Sequence, residues 1–270
     1  MLKTYGNGCI LDKEDTRDYE LDHILGAGEP FDWEKGYDIE EEIGKKLPVK
    51  DQNGSYSCVG QATASLAYIL NYFDAQTQFY KQNIPEMSAK SVYSQISIGY
   101  GKGASIRSAM ALLCDYGINT EEEVPSYLNS KPPKEDFVID QSWKDDILKE
   151  SAQKFIGKEF RTLRAKDSID LMAQAIRDNR AVVFGVNGCN NGTWRKVFPK
   201  PGEKEWGHAL LGGKAKMING KKYIGVLNSW GTKTGENGWQ WLGEEWFKDD
   251  YVFNPWFYID APTKWYVKLI

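Results

Sequence analysis

The spacing of apolar residues changes near residue 180, and that change limits the folds open to this chain. Before it, the spacing is helical. Val59, Ala62, Leu66, Ile69, Leu70 and Phe73 share one face of a helix that begins beside Cys58, with Ser57 as its expected N-cap. A second short helix is predicted between Ser88 and Tyr100, broken by Gly101-Lys102-Gly103. Ser105 caps a third, which carries Ile106, Ala109, Met110 and Leu113 and stops at Gly117. Trp143 to Lys154 and Ser168 to Asn179 supply two more. After residue 180 the signal is strand: Ala181 to Val186, His208 to Leu211, Tyr223 to Asn228, Gln240 to Gly243, Trp256 to Ile259 and Trp265 to Leu269. Helices first and strands later predict an α+β chain of two lobes with a cleft between them. The helical lobe is placed at about 48–130 and the β-rich lobe at about 131–270, with Lys131 to Asp136 as the crossing.

The tightest local prediction concerns Ile218-Asn219-Gly220-Lys221, a two-residue hairpin turn of the Asn-Gly kind. That turn pairs Ile218 with Lys221, and regular pairing then sets Asn228 opposite Leu211. His208 is an odd offset from Leu211 and would face the other side of the sheet. One extra residue in the His208 strand restores them to one face, and Gly212-Gly213 is the place where such a bulge forms most easily.

His208 and Asn228 matter because they complete a chemical set. A thiol at the first turn of a helix meets free N–H groups and the positive end of the helix dipole, both of which favour thiolate. Cys58 is so placed, and by itself it is better read as a small buried hydrophobe. A nucleophilic thiol needs a base, and the base needs a group that holds its tautomer. The chain has only two histidines, His23 and His208. His23 sits in a charged, aperiodic stretch and is read as a surface residue, so His208 is the base and Asn228 its partner. Trp230 would shield their bond from water, and Gln52 can donate its amide to an oxyanion beside the sulfur.

Composition excludes other classes. A net charge of -4 leaves no basic footprint for nucleic acid. The four cysteines, Cys9, Cys58, Cys114 and Cys189, are too scattered for a disulfide framework or a zinc site, and Cys114 is expected in the core. No metal or other cofactor is called for. No apolar run approaches the roughly 18 residues of a membrane span. The opening residues also lack the hydrophobic segment of a signal peptide, which favours a cytoplasmic or virus- or phage-associated location.

Val49-Lys50-Asp51-Gln52 with Ser57-Cys58, then Gly207-His208-Ala209, then Asn228-Ser229-Trp230-Gly231 and Gly235-Glu236-Asn237-Gly238-Trp239, resemble the signatures of the papain-like cysteine peptidases. Phe31-Asp32-Trp33 is similar to the start of that family's mature domain. The resemblance covers roughly residues 30–245, in the family's order, with His208 150 residues and Asn228 170 residues beyond Cys58. It implies a papain-like two-lobe fold whose C-terminal lobe is an antiparallel, barrel-like sheet. It makes Cys58 the nucleophile, His208 the general base and acid, and Asn228 the group that orients the imidazole. Gln52 and the Cys58 N–H become the oxyanion hole, with Ser57 and Trp230 in support. Gly101 and Gly103 fall near the segment that binds substrate backbone. A Cys58 thiol ionising well below the roughly 8.5 of a free cysteine is also implied.

There are departures. Val59 replaces the usual aromatic residue, and Ser55 stands where a disulfide-forming cysteine is common, features similar to bacterial, archaeal or viral members. Residues 1–30 are shorter than the family's helical prodomain, so they are expected as an extended arm or short pro-segment along a catalytic domain of residues 31–270. No independent inhibitory domain is expected there, and little gain of activity on its removal. The implied activity is hydrolysis of peptide bonds in a peptide or protein substrate. Hydrolysis of cell-wall peptides or isopeptides by the same triad is the alternative, and a non-catalytic scaffold the second. Oligomeric state is left open.

Overall fold

A computed structural model describes residues 8–13, 29–75, 81, 83–127, 134–155, 160–162 and 167–258. His23, residues 131–133 of the expected crossing and the expected strand at Trp265 to Leu269 lie outside them. The N-terminal part gives two-residue strands β1 (Cys9–Ile10) and β2 (Tyr37–Asp38), then helix α1 (Ile39–Ile43). The helical half follows with α2 (Cys58–Asp74), α3 (Ala89–Ile96), strand β3 (Ala104–Ser105), α4 (Ile106–Asp115), α5 (Glu135–Ile139) and α6 (Asp146–Ala152). Strand β4 (Phe160–Thr162) and helix α7 (Ile169–Asn179) lead into β5 (Val182–Gly188), β6 (Trp206–Ile218), β7 (Lys221–Leu227), β8 (Trp239–Gly243) and β9 (Val252–Tyr258).

The predicted caps at Ser88, Ser105 and Ser168 each accept the expected backbone N–H, from Ser91, Ser108 and Leu171. Ser57 does not. It stands at the cap position of α2, but its hydroxyl is engaged by Ser55 Oγ at 2.7 Å and by Gln61 Nε2 at 3.2 Å. The first turn of α2 therefore keeps its N–H groups for the sulfur. Val59, Ala62, Leu66 and Ile69 bury the face of α2 that the period assigned to the core.

Seven strands form one antiparallel sheet in the order β4-β9-β5-β6-β7-β8, with β2 pairing β6 as a side branch. The sheet runs from β4 to β8 and no closed barrel forms among the described residues; helices with an antiparallel sheet give the expected α+β two-lobe fold. Helix α2 packs on β6, while α7 covers β5, β6 and β7. Helices α5 and α6 follow residue 131 yet pack on the helical side, where Gly117 lies against the Ala152 backbone and α5 meets α3. No helix among the described residues is long and apolar enough to cross a membrane.

Asn219 and Gly220 both take positive φ, 50° and 75°, as a primed two-residue turn requires. Ile218 pairs with Lys221 and Lys214 with Gly225, so paired numbers add to 439. Past the glycines Gly212 pairs with Val226 and Leu211 with Leu227, so they add to 438. Gly213 is the extra residue, and the bulge stands where face parity demanded it. Gly213 packs tightly there, since a Cβ would come within 2.9 Å of Ile39 Cγ2. The bulge sets His208 and Asn228 on one face.

Candidate active site

Cys58 opens α2 and is fully buried, as is His208 on β6; Asn228, just past the end of β7, is 1% exposed. His208 Nε2 and Asn228 Oδ1 are 2.9 Å apart. Asn228 Nδ2 donates to Gln240 Oε1 at 2.7 Å, so Oδ1 is the end that faces the ring. An oxygen there can only accept, so Nε2 carries the proton. Among the described residues His208 Nδ1 has no hydrogen-bond partner. The sulfur is one residue away: the backbone N–H groups of Cys58, Val59 and Ala209 all point to it. Indoles enclose the imidazole. Trp230 lies 4.7 Å from it, centroid to centroid, tilted by 33°, with Trp194 and Trp206 edge-on at 6.5 and 6.3 Å. Trp230 thus supplies the expected shield, and Trp194 and Trp206, which the sequence did not single out, extend it.

Gln52 is buried and held at three points. Its backbone N–H donates to Ser229 O at 2.8 Å, its Oε1 accepts from Ser229 Oγ at 2.6 Å, and its Nε2 donates to Ser55 O at 2.7 Å. The amide orientation is therefore fixed. Ser229 follows Asn228, so one turn of chain holds both the imidazole's partner and Gln52. Gln52→Ala is expected to cut kcat about 100- to 1000-fold with little change in KM, the usual cost of one oxyanion donor. Steady-state kinetics on an open site check it; an unchanged kcat contradicts the role.

Glu135 was read only as part of a charged crossing segment. It is 7% exposed and ties three elements together: Tyr56 N–H at 2.7 Å, Gly101 N–H at 3.2 Å and Tyr93 Oη at 2.9 Å. It thereby joins the glycine loop to the segment preceding Cys58, where Ser55 leaves no disulfide to do so; among the described residues no cysteine is in a disulfide. Of the two glycines, Gly101 is set back against the Tyr56 ring and Gly103 stands at the cleft edge, both with positive φ, 67° and 73°. Among the described residues no group of three or more His, Cys, Asp or Glu is placed to hold a metal ion.

No family model and no curated protein matches the chain. Solved structures do. Xylellain, a cysteine protease from Xylella fastidiosa, superimposes with a TM-score of 0.73 at 22% identity, over 94% of this chain and 95% of that one. Procathepsin B S9 from Trypanosoma congolense gives 0.68 at 16% identity, over 93% and 85%. Bromelain from Ananas comosus, solved with the inhibitor E64, gives 0.64 at 21%, over 83% and 97%. The fold is papain-like.

Residues 8–13 cross this papain-like cleft. They are extended, as the arm was expected to be, but they lie on the catalytic groups and not clear of them. β1 pairs in parallel with β3, and Ala104 N–H donates to Gly8 O at 3.0 Å. A Cβ on Gly8 would lie 2.7 Å from Cys58 Sγ and would overlap Tyr56 O; one on Gly103 would overlap Gly8 O, and one on Gly207 would overlap Cys9 O. The segment thus touches both walls, directly above the sulfur. Asp12 anchors its far end, accepting from Trp256 Nε1 at 2.7 Å and from Arg107 N–H at 3.4 Å, while Asp12 N–H donates to Asn254 Oδ1 at 3.0 Å.

This cover reverses the expected ionisation. Burial pushes the Cys58 thiol up to about 12, outweighing the three N–H groups that favour thiolate. Burial pushes His208 down to about 4, against the Asn228 bond. With residues 8–13 in place the pair is a neutral thiol and a neutral imidazole.

Proposed function

We propose that this chain is a cysteine peptidase whose cleft is closed by its own N-terminal segment. The catalytic reading rests on one observation above the others: the 2.9 Å bond from His208 Nε2 to Asn228 Oδ1, which leaves Nδ1 unprotonated on the residue before Ala209, whose N–H meets the Cys58 sulfur. In the open site Nδ1 takes the thiol proton, and Sγ attacks the carbonyl carbon of the scissile amide. The oxygen's charge is met by the Gln52 Nε2–H and by the Cys58 backbone N–H. His208 returns the proton to the leaving amine, and an acyl thioester remains on Cys58. Water, deprotonated by Nδ1, attacks that thioester; the thiol and a free carboxyl group are released. Peptide is the favoured substrate because the cleft already accommodates extended polypeptide, with Gly8 to Ile10 paired along Ala104–Ser105 beside Gly103. Hydrolysis of a peptide library by the opened chain tests the reading, with purified peptidoglycan as the arm that would assign the site to cell-wall peptides.

Closure depends on pH in a direction the site dictates. His208 is held at about 4 when covered and regains its ordinary value near 6.5 when exposed. A base depressed in the closed form favours closure fully above 6.5, and that contribution is lost as pH falls from 6.5 towards 4. Asp12, raised by burial, favours closure only as it protonates, in the carboxylate range. The segment is therefore expected to loosen as pH falls from 6.5 towards 4, where the contribution of the buried His208 is lost. Hydrogen exchange at Cys9, Ile10 and Ala104, corrected for intrinsic rate, checks this. Protection that is constant from pH 7 to 4.5, or a decline that persists in His208→Gln, contradicts it.

A further inference from the structure

Gln240 lies in the middle of β8 and is completely buried. Its two donors go to two backbone carbonyls: Nε2 to Trp194 O and to Lys196 O, both at 2.8 Å. A carboxamide oxygen cannot donate, so this pair of carbonyls fixes which end of the amide is which. Oε1 is then the only end that can receive Asn228 Nδ2, and it does so at 2.7 Å. The carbonyls themselves are held in place, because the loop that carries them is stitched to the strand by Trp241 N–H to Val197 O at 2.8 Å and by Gly235 N–H to Arg195 O at 3.0 Å.

We propose that Gln240 is a positioning residue for the hydrolysis, setting the tautomer of His208 through Asn228. The chain of consequence has one direction. The loop carbonyls orient Gln240, Gln240 orients Asn228, and Asn228 presents an oxygen to Nε2. The ring proton must then stay on Nε2, and Nδ1 remains the base beside the sulfur. Without Gln240, Asn228 Nδ2 loses its acceptor in a buried site, and the amide is released to turn its N–H end to the ring. That would draw the lone pair to Nε2 and leave a proton on Nδ1, the wrong side for accepting one from sulfur. Three indoles pack around the imidazole, and an indole N–H can only donate, so none of them supplies an acceptor in its place. The kinetic part of the inference rests on the peptidase reading above; the tautomer part does not.

The test is nuclear magnetic resonance of the His208 ring nitrogens in full-length, 15N-labelled protein. With two histidines in the chain, His23→Gln leaves a single imidazole to observe. The native residue and Gln240→Glu should both show a protonated Nε2 and a bare Nδ1. A buried carboxyl there stays protonated, donates to one carbonyl and keeps an oxygen towards Asn228. Gln240→Leu should show a mixed or inverted pattern. Hydrolysis of a fluorogenic peptide, measured in full-length protein opened by Gly8→Val, should show kcat reduced about 10- to 100-fold by Gln240→Leu and less than about threefold by Gln240→Glu, with KM unchanged. In an Asn228→Ala background Gln240→Leu should cost nothing further, since its effect passes through Asn228. An unaltered nitrogen pattern in Gln240→Leu, an inverted pattern in Gln240→Glu, or full additivity with Asn228→Ala overturns the proposal. If Gln240→Leu does not fold, the nitrogen pattern of Gln240→Glu decides alone. If no peptide is hydrolysed, the peptidase reading fails while the nitrogen patterns still decide the role of Gln240.

Discussion

Gly8→Val is expected to raise the alkylation rate of Cys58 at pH 7 by on the order of 100-fold, and peptide hydrolysis with it. A branched side chain cannot enter a space in which the first carbon alone would lie 2.7 Å from Cys58 Sγ and overlap the Tyr56 carbonyl. The overlaps are with the Tyr56 backbone and the Cys58 sulfur, not with the far end of a flexible side chain, so the segment is expected to lift. Lifting gives up the Ala104–Gly8 hydrogen bond, the β1–β3 pairing and the seal over the sulfur. At about 1 kcal/mol net per hydrogen bond, two or three such losses amount to ~3 kcal/mol, which is about two decades in population of the open form. The Asp12 anchor lies beyond the lesion, so Asp12→Ala added to Gly8→Val should release the segment further. Peptide mass spectrometry of the alkylated protein reads the rate at each cysteine. Equal rates in Gly8→Val and the native chain would mean that the cleft is not closed by this segment.

Once the cleft is open, His208→Ala should remove nearly all turnover. The residues of such a triad act as a unit, so losing the base costs almost as much as losing the nucleophile, about 10⁴- to 10⁶-fold in kcat. Cys58→Ala and the double substitution should then be nearly as inactive as His208→Ala alone. The same variant should change the pH dependence of alkylation. In the opened native site, the helix N-terminus and a protonated His208 draw the Cys58 midpoint well below 8.5; His208→Ala returns it towards that value, and Asn228→Ala does so less. A midpoint that stays where it was would leave the helix N-terminus as the sole source of activation.

The parts of this molecule that were legible in the sequence are those in which local chemistry and long-range geometry agree. The bulge at Gly213 is one. Turn type, strand parity and the need for His208 and Asn228 to share a face all pointed to the same two glycines, and the pairing shifts there. The buried face of α2 is another, since a single period runs through it. Gln240 was not legible. A glutamine in an apolar strand carries no pattern, and the carbonyls that orient it belong to a loop 44 and 46 residues earlier with no signal of its own. Glu135 failed to show for a similar reason, because a carboxylate in a charged stretch reads as solvated surface until Tyr56 and Gly101 are found at its oxygens. Ser57 looked like a cap by position, but its hydroxyl prefers Ser55 and Gln61. The ionisation of Cys58 was misjudged because sequence reveals the helix end that favours thiolate and conceals the burial that opposes it.

The central claim, that Cys58 and His208 form a working thiol hydrolase under a cover supplied by the same chain, is tested most directly by one measurement. A peptide library is incubated with full-length Gly8→Val protein, with the same protein carrying Cys58→Ala as control, and the products are read by mass spectrometry. The account predicts new peptide termini with Gly8→Val, none with the control, and far fewer with the native chain. Cleavage that survives Cys58→Ala, or no cleavage by an opened chain whose Cys58 alkylates readily, would contradict it.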